Sequence, residues 1–270
     1  MAATITFGGQ VENHAGMERL GAMEPAGLTP GELAAARLRF EAAGCACELV
    51  DLVGAAGVGG LAPPPAPACV LVVRGGAAAL GAGADALAAE QAALPKDTRA
   101  LMRGRVVTKR ARHNLCFAAA GQEPDYEAGR GRVVAFADVP RLAAVRAALP
   151  RVFGAKAAGL YAEGNYYYDV GKCGIGFHGD GERRIVVAVR LGAPIPLHFQ
   201  WFLRGRPVGR RVALALGHGD VYASSEKAVG TDWRRTVVPT LRHAAGAPKY
   251  LTVEGQPGAE HTPPAPGPPG

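Results

Sequence analysis

The sequence predicts an α+β protein that is mainly β, with a double-stranded β-helix (jelly roll) core and flanking helices. Short β-type runs recur at 133–136, 160–168, 185–191, 197–203, 212–216, 221–222 and 237–241, separated by Gly, Pro and charged turns. One convincing helix, from Val139 to Leu149, falls among them, opened by Asp138 ahead of Pro140. A chain of 270 residues is long enough to bury a substantial core without disulfides.

Composition narrows the class. With 49% hydrophobic and 20% charged residues, disorder of the whole chain is excluded. No apolar run approaches the length of a membrane span, and no basic-then-apolar segment opens the chain. The expectation is an intracellular protein, cytoplasmic or nuclear, with no membrane partner. The five cysteines contain no C-x-x-C pair, so Cys45 and Cys47 read as ordinary small residues. A net charge of +7 favours anionic partners.

Taken in order, residues 1–64 read as an accessory or partly disordered segment. It holds one helix opened by Thr29-Pro30-Gly31-Glu32, with Leu33, Leu38 and Phe40 as a partial apolar face. Pro63 to Pro67 form a stiff linker, and the core domain is expected over 65–255. Within it, Cys69 to Arg74 read as a buried strand and Ala77 to Leu94 as an Ala-rich helix. From Arg103 to Arg112 five of ten residues are basic, either a solvated face or an anion-binding surface. Residues 256–270, rich in Pro and Gly, read as a disordered tail.

The sharpest local signal is Gly174-Ile175-Gly176-Phe177-His178-Gly179-Asp180-Gly181-Glu182. On a strand, a spacing of two puts His178 and Asp180 on one face, where an imidazole and a carboxylate can meet on one metal ion. A second His from elsewhere would complete the facial triad that suits Fe(II) and leaves positions open.

Around this motif stand Asn165-Tyr166-Tyr167-Tyr168 upstream, then Phe199-Gln200-Trp201-Phe202, Gly219-Asp220 and Thr240-Leu241-Arg242 downstream. The order resembles that of the AlkB-like Fe(II)- and 2-oxoglutarate-dependent dioxygenases, over roughly Arg103 to His243. The resemblance implies an oxidoreductase with Fe(II) as metal and 2-oxoglutarate as co-substrate, acting on C–H bonds of alkylated nucleic-acid bases. A binding module that has lost iron, or a protein side-chain hydroxylase, is the alternative.

The resemblance also assigns residues. His178 and Asp180 are implied as metal ligands, and His243 stands as the third, with Asp232 as second candidate. Spacing back from His178 places Tyr168 at the family's 2-oxoglutarate-contacting Tyr. The exclusive alternative register puts Asn165 and Tyr167 there instead. Arg242 is the implied carboxylate clamp, since a guanidinium fork matches a carboxylate. Arg235 is a poor second arginine, and His198 and His218 read as structural. Nucleic acid is the implied partner, contacted by Arg183, Arg184 and Trp201.

Overall fold

The computed structural model describes residues 1–253, so the expected tail at 256–270 lies outside the described residues. The strands and helices in chain order are β1 (Ala2–Gly8), β2 (Gln10–Glu12), β3 (Arg19–Gly21), α1 (Pro30–Ala42), β4 (Cys47–Asp51), α2 (Leu52–Ala56), β5 (Cys69–Val73), α3 (Gly76–Ala79) and α4 (Ala84–Ala93). Then follow β6 (Arg99–Met102), β7 (Arg105–Thr108), β8 (His113–Ala118), β9 (Val133–Ala135), α5 (Pro140–Phe153), β10 (Tyr161–Tyr167), β11 (Gly174–His178) and β12 (Val186–Gly192). Last come β13 (Leu197–Leu203), β14 (Arg206–Leu214), β15 (Val221–Ser224), α6 (Glu226–Val229) and β16 (Thr240–Gly246). The protein is α+β and mainly β.

An eight-stranded sheet runs in the order β4-β5-β15-β12-β1-β10-β8-β9, and a four-stranded sheet runs β11-β16-β13-β14. From β10 to β16 the chain passes repeatedly between the two sheets, so each hairpin-like step adds a strand to one wall or the other. One core packs between the sheets, built on Val70, Val72, Ala188, Leu197, Phe199 and Trp201. A second core covers the far face of the large sheet, where Ile5, Phe7, Val187 and Val189 meet α1 and α5 through Leu33, Phe40, Leu142 and Leu149. The helix-side face of the central strands is apolar throughout and much of the inner face is too, the condition that gives runs such as Ile185 to Val189.

The first eight residues correct the expected division at residue 65. β1 lies between β10 and β12, antiparallel to both, and all seven of its residues are buried. Ala3, Ile5 and Phe7 point to the helix side, which sends Ala2, Thr4 and Thr6 to the other face. Small residues and threonines on that second face hide a central strand behind a weak hydrophobic signal. β4 likewise pairs with β5 across the Pro-rich segment. Residues 1–64 thus supply integral strands of the core.

Elsewhere the expected elements shift by local causes. The Ala77 to Leu94 helix breaks into α3 and α4 around Gly81, whose φ of 85° suits glycine. In α1 the buried face is Leu33, Ala36 and Phe40, while Leu38 is 66% exposed. Thr29 and Glu32 form a reciprocal capping box at its start. The basic 103–112 stretch is largely a hairpin, β6–β7, turning through Arg103 and Gly104, both at positive φ.

Replacing Ile5, fully buried in the central strand, by Ala should lower unfolding stability by about 2–5 kcal/mol in urea titrations followed by circular dichroism. Leu38→Ala, on the exposed side of α1, should stay within about 0.5 kcal/mol of the parent. An unchanged midpoint for Ile5→Ala would contradict the central position of β1.

Candidate metal centre

β11 and β16 are antiparallel neighbours in which His178 and His243 stand opposite each other. A register irregularity between Ile175 and His178 re-aims the end of β11, a common device beside functional sites. Past the strand end, Gly179 turns the chain so that the Asp180 N–H donates to the Val229 carbonyl at 3.1 Å. A Cβ on Gly179 would lie 2.1 Å from the Gly230 carbonyl oxygen, so only glycine fits between His178 and Asp180.

The three side chains converge. His178 Nε2 and His243 Nε2 each lie 3.5 Å from Asp180 Oδ1, and the two rings are 4.4 Å apart. One ligand atom from each residue lies within 4.8 Å of the others, and this is the group of such residues found among the described ones. The Nδ1 of His178 is 2.8 Å from the Gly176 carbonyl, so it carries the proton and leaves Nε2 free to coordinate. Two imidazoles and one carboxylate form the donor set that suits Fe(II) and leaves three positions for exogenous ligands.

Charge is arranged to keep these donors competent. Burial opposes ionisation of Asp180, but Arg183 and the two histidines overcome it and hold the carboxyl well below the usual range. Arg183 is itself buried, with Nη2 2.6 Å from both Glu163 and Glu182 and Nε 3.6 Å from Asp180. Burial, with Asp180 and Glu163 nearby, pushes the Glu182 carboxyl up. Burial and neighbouring His178 lower His243, which favours the neutral, ligating imidazole.

Two spaces meet at this cluster. An inner cavity of about 70 Å³ lies between the sheets, lined by Thr4, Thr6, Asn165, Tyr167, Arg190 and Tyr222 as well as by His178, Asp180 and His243. An outer cleft of about 300 Å³ is lined by His14, Arg112, Trp233 and Arg234, and again by His178 and Asp180. An ion held by the cluster would present open positions to both. Inside the inner cavity, Arg190 Nε and Nη1 and Thr4 Oγ1 have no hydrogen-bond partner.

The structure brings His243 to His178 and Asp180, while Asp232 is occupied by Lys227 at 2.7 Å. It places the other sequence-assigned residues elsewhere. Tyr168 lies beyond the end of β10, 43% exposed, stacked on His113 and donating to the Arg110 carbonyl. Asn165 and Tyr167 line the cavity instead, because the turn over 169–173 holds one residue more than the spacing count allowed. Tyr166 faces the helices and donates to Gln91 at 2.7 Å.

Arg242 points to the opposite face of its strand from His243, as alternation requires. Its guanidinium sits 4.0 Å above the Phe202 ring and 5.2 Å from Trp233, outside the inner cavity. Arg183 lines both spaces but is 4% exposed and committed to carboxylates, Arg184 is partly exposed but turned to Glu226 outside both spaces, and Trp201 is buried. Arg183 holds the three carboxylates, Arg184 pairs with Glu226 at 2.7 Å, and Trp201 is a core residue donating to the Leu52 carbonyl. Their sequence context, charged residues near a motif and an aromatic-rich strand, does not reveal which side of a strand each occupies.

His218 accepts from the Gly192 N–H and pairs with Asp85, His198 sits away from the cluster, and Arg235 is exposed. In the basic stretch, Lys109 is buried and donates to Asn13 and Asn114, and burial pushes it down to about 8. Asn114 in turn donates to the Asn165 side-chain carbonyl at 2.9 Å, so this lysine braces the cavity wall and the loop at the cleft mouth. Sequence reasoning missed Arg190 and Thr4. The available signal was a single charged residue inside the apolar run Val186-Val187-Ala188-Val189-Arg190-Leu191.

A protein of Acanthamoeba polyphaga mimivirus, described as uncharacterized protein R156, is 44% identical over 248 residues, spanning 92% of this chain and 96% of that protein. No protein-family profile matches the sequence.

His243→Ala should weaken Co(II) binding at least 100-fold in anaerobic titrations of the visible spectrum, and Asp232→Ala should leave it unchanged. Wild-type affinity should stay level from pH 8 to 7, then fall on acidification. There protons compete for the His243 imidazole while Asp180 remains ionised. Loss of binding in Asp232→Ala instead would overturn the ligand set.

Proposed function

We propose that this chain, which belongs to one family with the mimivirus protein R156, is an AlkB-like Fe(II)- and 2-oxoglutarate-dependent dioxygenase acting on nucleic-acid bases. One observation carries the reading. A His-Asp-His donor set stands where an inner cavity with several polar lining residues meets an outer cleft, so co-substrate and substrate would reach one ion from different spaces. The repeated passage of the chain between two facing sheets supports the double-stranded β-helix description.

The residues present fit the group. Two neutral imidazoles and a carboxylate held anionic by Arg183 would hold Fe(II), and unpartnered donors in the inner cavity suit an anionic co-substrate. Fe(II) with 2-oxoglutarate and dioxygen, when bound, would supply the chemistry to hydroxylate an unactivated C–H bond, the 2-oxo acid leaving as succinate and carbon dioxide. The chain's own contribution is placement and protection. Gly176 fixes the His178 tautomer, Arg183 fixes Asp180, and the apolar core behind Phe199 and Leu197 excludes water from the inner side.

The outer cleft supports the substrate class. Arg112 and Arg234 on its rim suit backbone phosphates, and Trp233 offers an aromatic surface at the mouth. With a net charge of +7, attraction to a polyanion is general as well as local. On an N-alkyl carbon of a base held in this cleft, such chemistry would give a carbinol that loses the aldehyde and leaves N–H.

Methylated single-stranded oligonucleotides should stimulate 2-oxoglutarate conversion to succinate, and Asp180→Ala should abolish it with an unchanged circular dichroism spectrum. Oligonucleotide affinity should fall steeply with salt, and Arg112→Ala or Arg234→Ala should each reduce the log–log slope by about one. Turnover retained in Asp180→Ala would overturn the site, and salt-independent binding would overturn the substrate class.

A further inference from the structure

Arg190 poses a problem that the fold alone does not solve. It is a guanidinium at 1% exposure, and guanidinium stays charged in proteins. Its backbone is committed, donating to the Asp220 carbonyl and accepting from Gly219, but side-chain Nε and Nη1 have no partner. An isolated buried charge is expensive, and native proteins pair such groups or neutralise them.

Among the described residues, no carboxylate nearby is free to do so. Glu163 and Asp180, which line the same cavity, are engaged by Arg183 and the histidines. Asp220 is taken up by Arg74 and by the Gly75 and Gly217 N–H groups. Arg190 lines the inner cavity, and its unpaired donors lie buried in that wall.

That space has a second orphan in register. Thr4 on β1 stands directly opposite Arg190 on β12, and its hydroxyl is also buried without a partner. Opposite Thr4 on its other side is Asn165 of β10. Asn165, Thr4 and Arg190 thus form one row across three adjacent strands, all lining the cavity that also receives His178, Asp180 and His243.

We propose that Arg190 and Thr4 clamp the distal carboxylate of the co-substrate, so that the inner cavity selects a dicarboxylic 2-oxo acid over a monocarboxylic one. This rests on the metal-centre reading above. The guanidinium meets the carboxylate, the Thr4 hydroxyl donates a further hydrogen bond, and the 2-oxo acid end lies toward the histidines. Arg242, the clamp implied by the sequence, has no part in it because it lies on the outer side of its strand. The co-substrate site is consequently completed by the N-terminal strand, and binding there stabilises β1 in the sheet.

The test uses full-length protein loaded with Co(II) under argon, titrated with 2-oxoglutarate and separately with pyruvate, which lacks the distal carboxylate. Wild type should bind 2-oxoglutarate about 100-fold more tightly than pyruvate. Arg190→Met should lose that preference while retaining Co(II) and pyruvate binding, Arg190→Lys should fall between, and Arg242→Met should match wild type. Thermal unfolding adds a readout that a structural arginine would not give. Without ligand, Arg190→Met should be at least as stable as wild type, because it removes an uncompensated charge, and the rise in Tm that 2-oxoglutarate gives wild type should vanish.

Should Arg190→Met bind Co(II) normally and keep its dicarboxylate preference, the clamp is overturned and the metal centre stands. Should wild type fail to bind Co(II), the metal reading falls and the clamp with it. If Arg190→Met does not fold, Thr4→Val, expected to weaken 2-oxoglutarate but not pyruvate, decides in its place.

Discussion

The structure depends on how one buried guanidinium, that of Arg183, is satisfied. It reaches Glu163 on β10 of the large sheet, Glu182 on the loop after β11, and Asp180 between them. That contact ties the loop that carries Asp180, at the end of the small sheet, to the wall of the large one. It also keeps Asp180 anionic before any ion arrives. Room for the arginine stem is made by Gly8 at the end of β1, where a Cβ would come within 2.8 Å of the Arg183 side chain. Removing one partner from such a buried cluster leaves uncompensated charge and costs about 3–5 kcal/mol.

Arg183 and Arg190 make an instructive pair. Both are almost fully buried and both line the space between the sheets. One is surrounded by three carboxylates, whereas the other has two nitrogens with nothing to bind. Low dielectric makes the first a brace and the second a demand for an anion. This contrast separates scaffold from binding site without reference to any other protein.

Much of this was legible in the sequence, for physical reasons that can be named. Runs rich in β-branched residues such as 185–189 announce their own burial, and His-Gly-Asp encodes a strand end with a turn that only glycine permits. His243 was also within reach, since alternation from Arg242 puts the two on opposite faces. That same alternation assigns the cavity to His243 and excludes Arg242 as clamp. Tyr168 was misplaced because counting residues through a turn cannot detect one extra, and one residue reverses the facing of every side chain in β10. β1 escaped because alanines and threonines carry little hydrophobic signal, and its position depends on strands more than 150 residues away. Arg190 was written in plain view as a lone charge in an apolar strand, but its meaning comes from the cavity it faces.

The central claim is that His178, Asp180 and His243 hold one metal ion between an inner co-substrate cavity and an outer cleft. Anomalous diffraction from crystals grown anaerobically with Mn(II) tests it most directly. The account predicts one strong peak within bonding distance of Nε2 of both histidines and of an Asp180 oxygen, about 2.0–2.3 Å away. Full occupancy elsewhere with this cluster empty would contradict it.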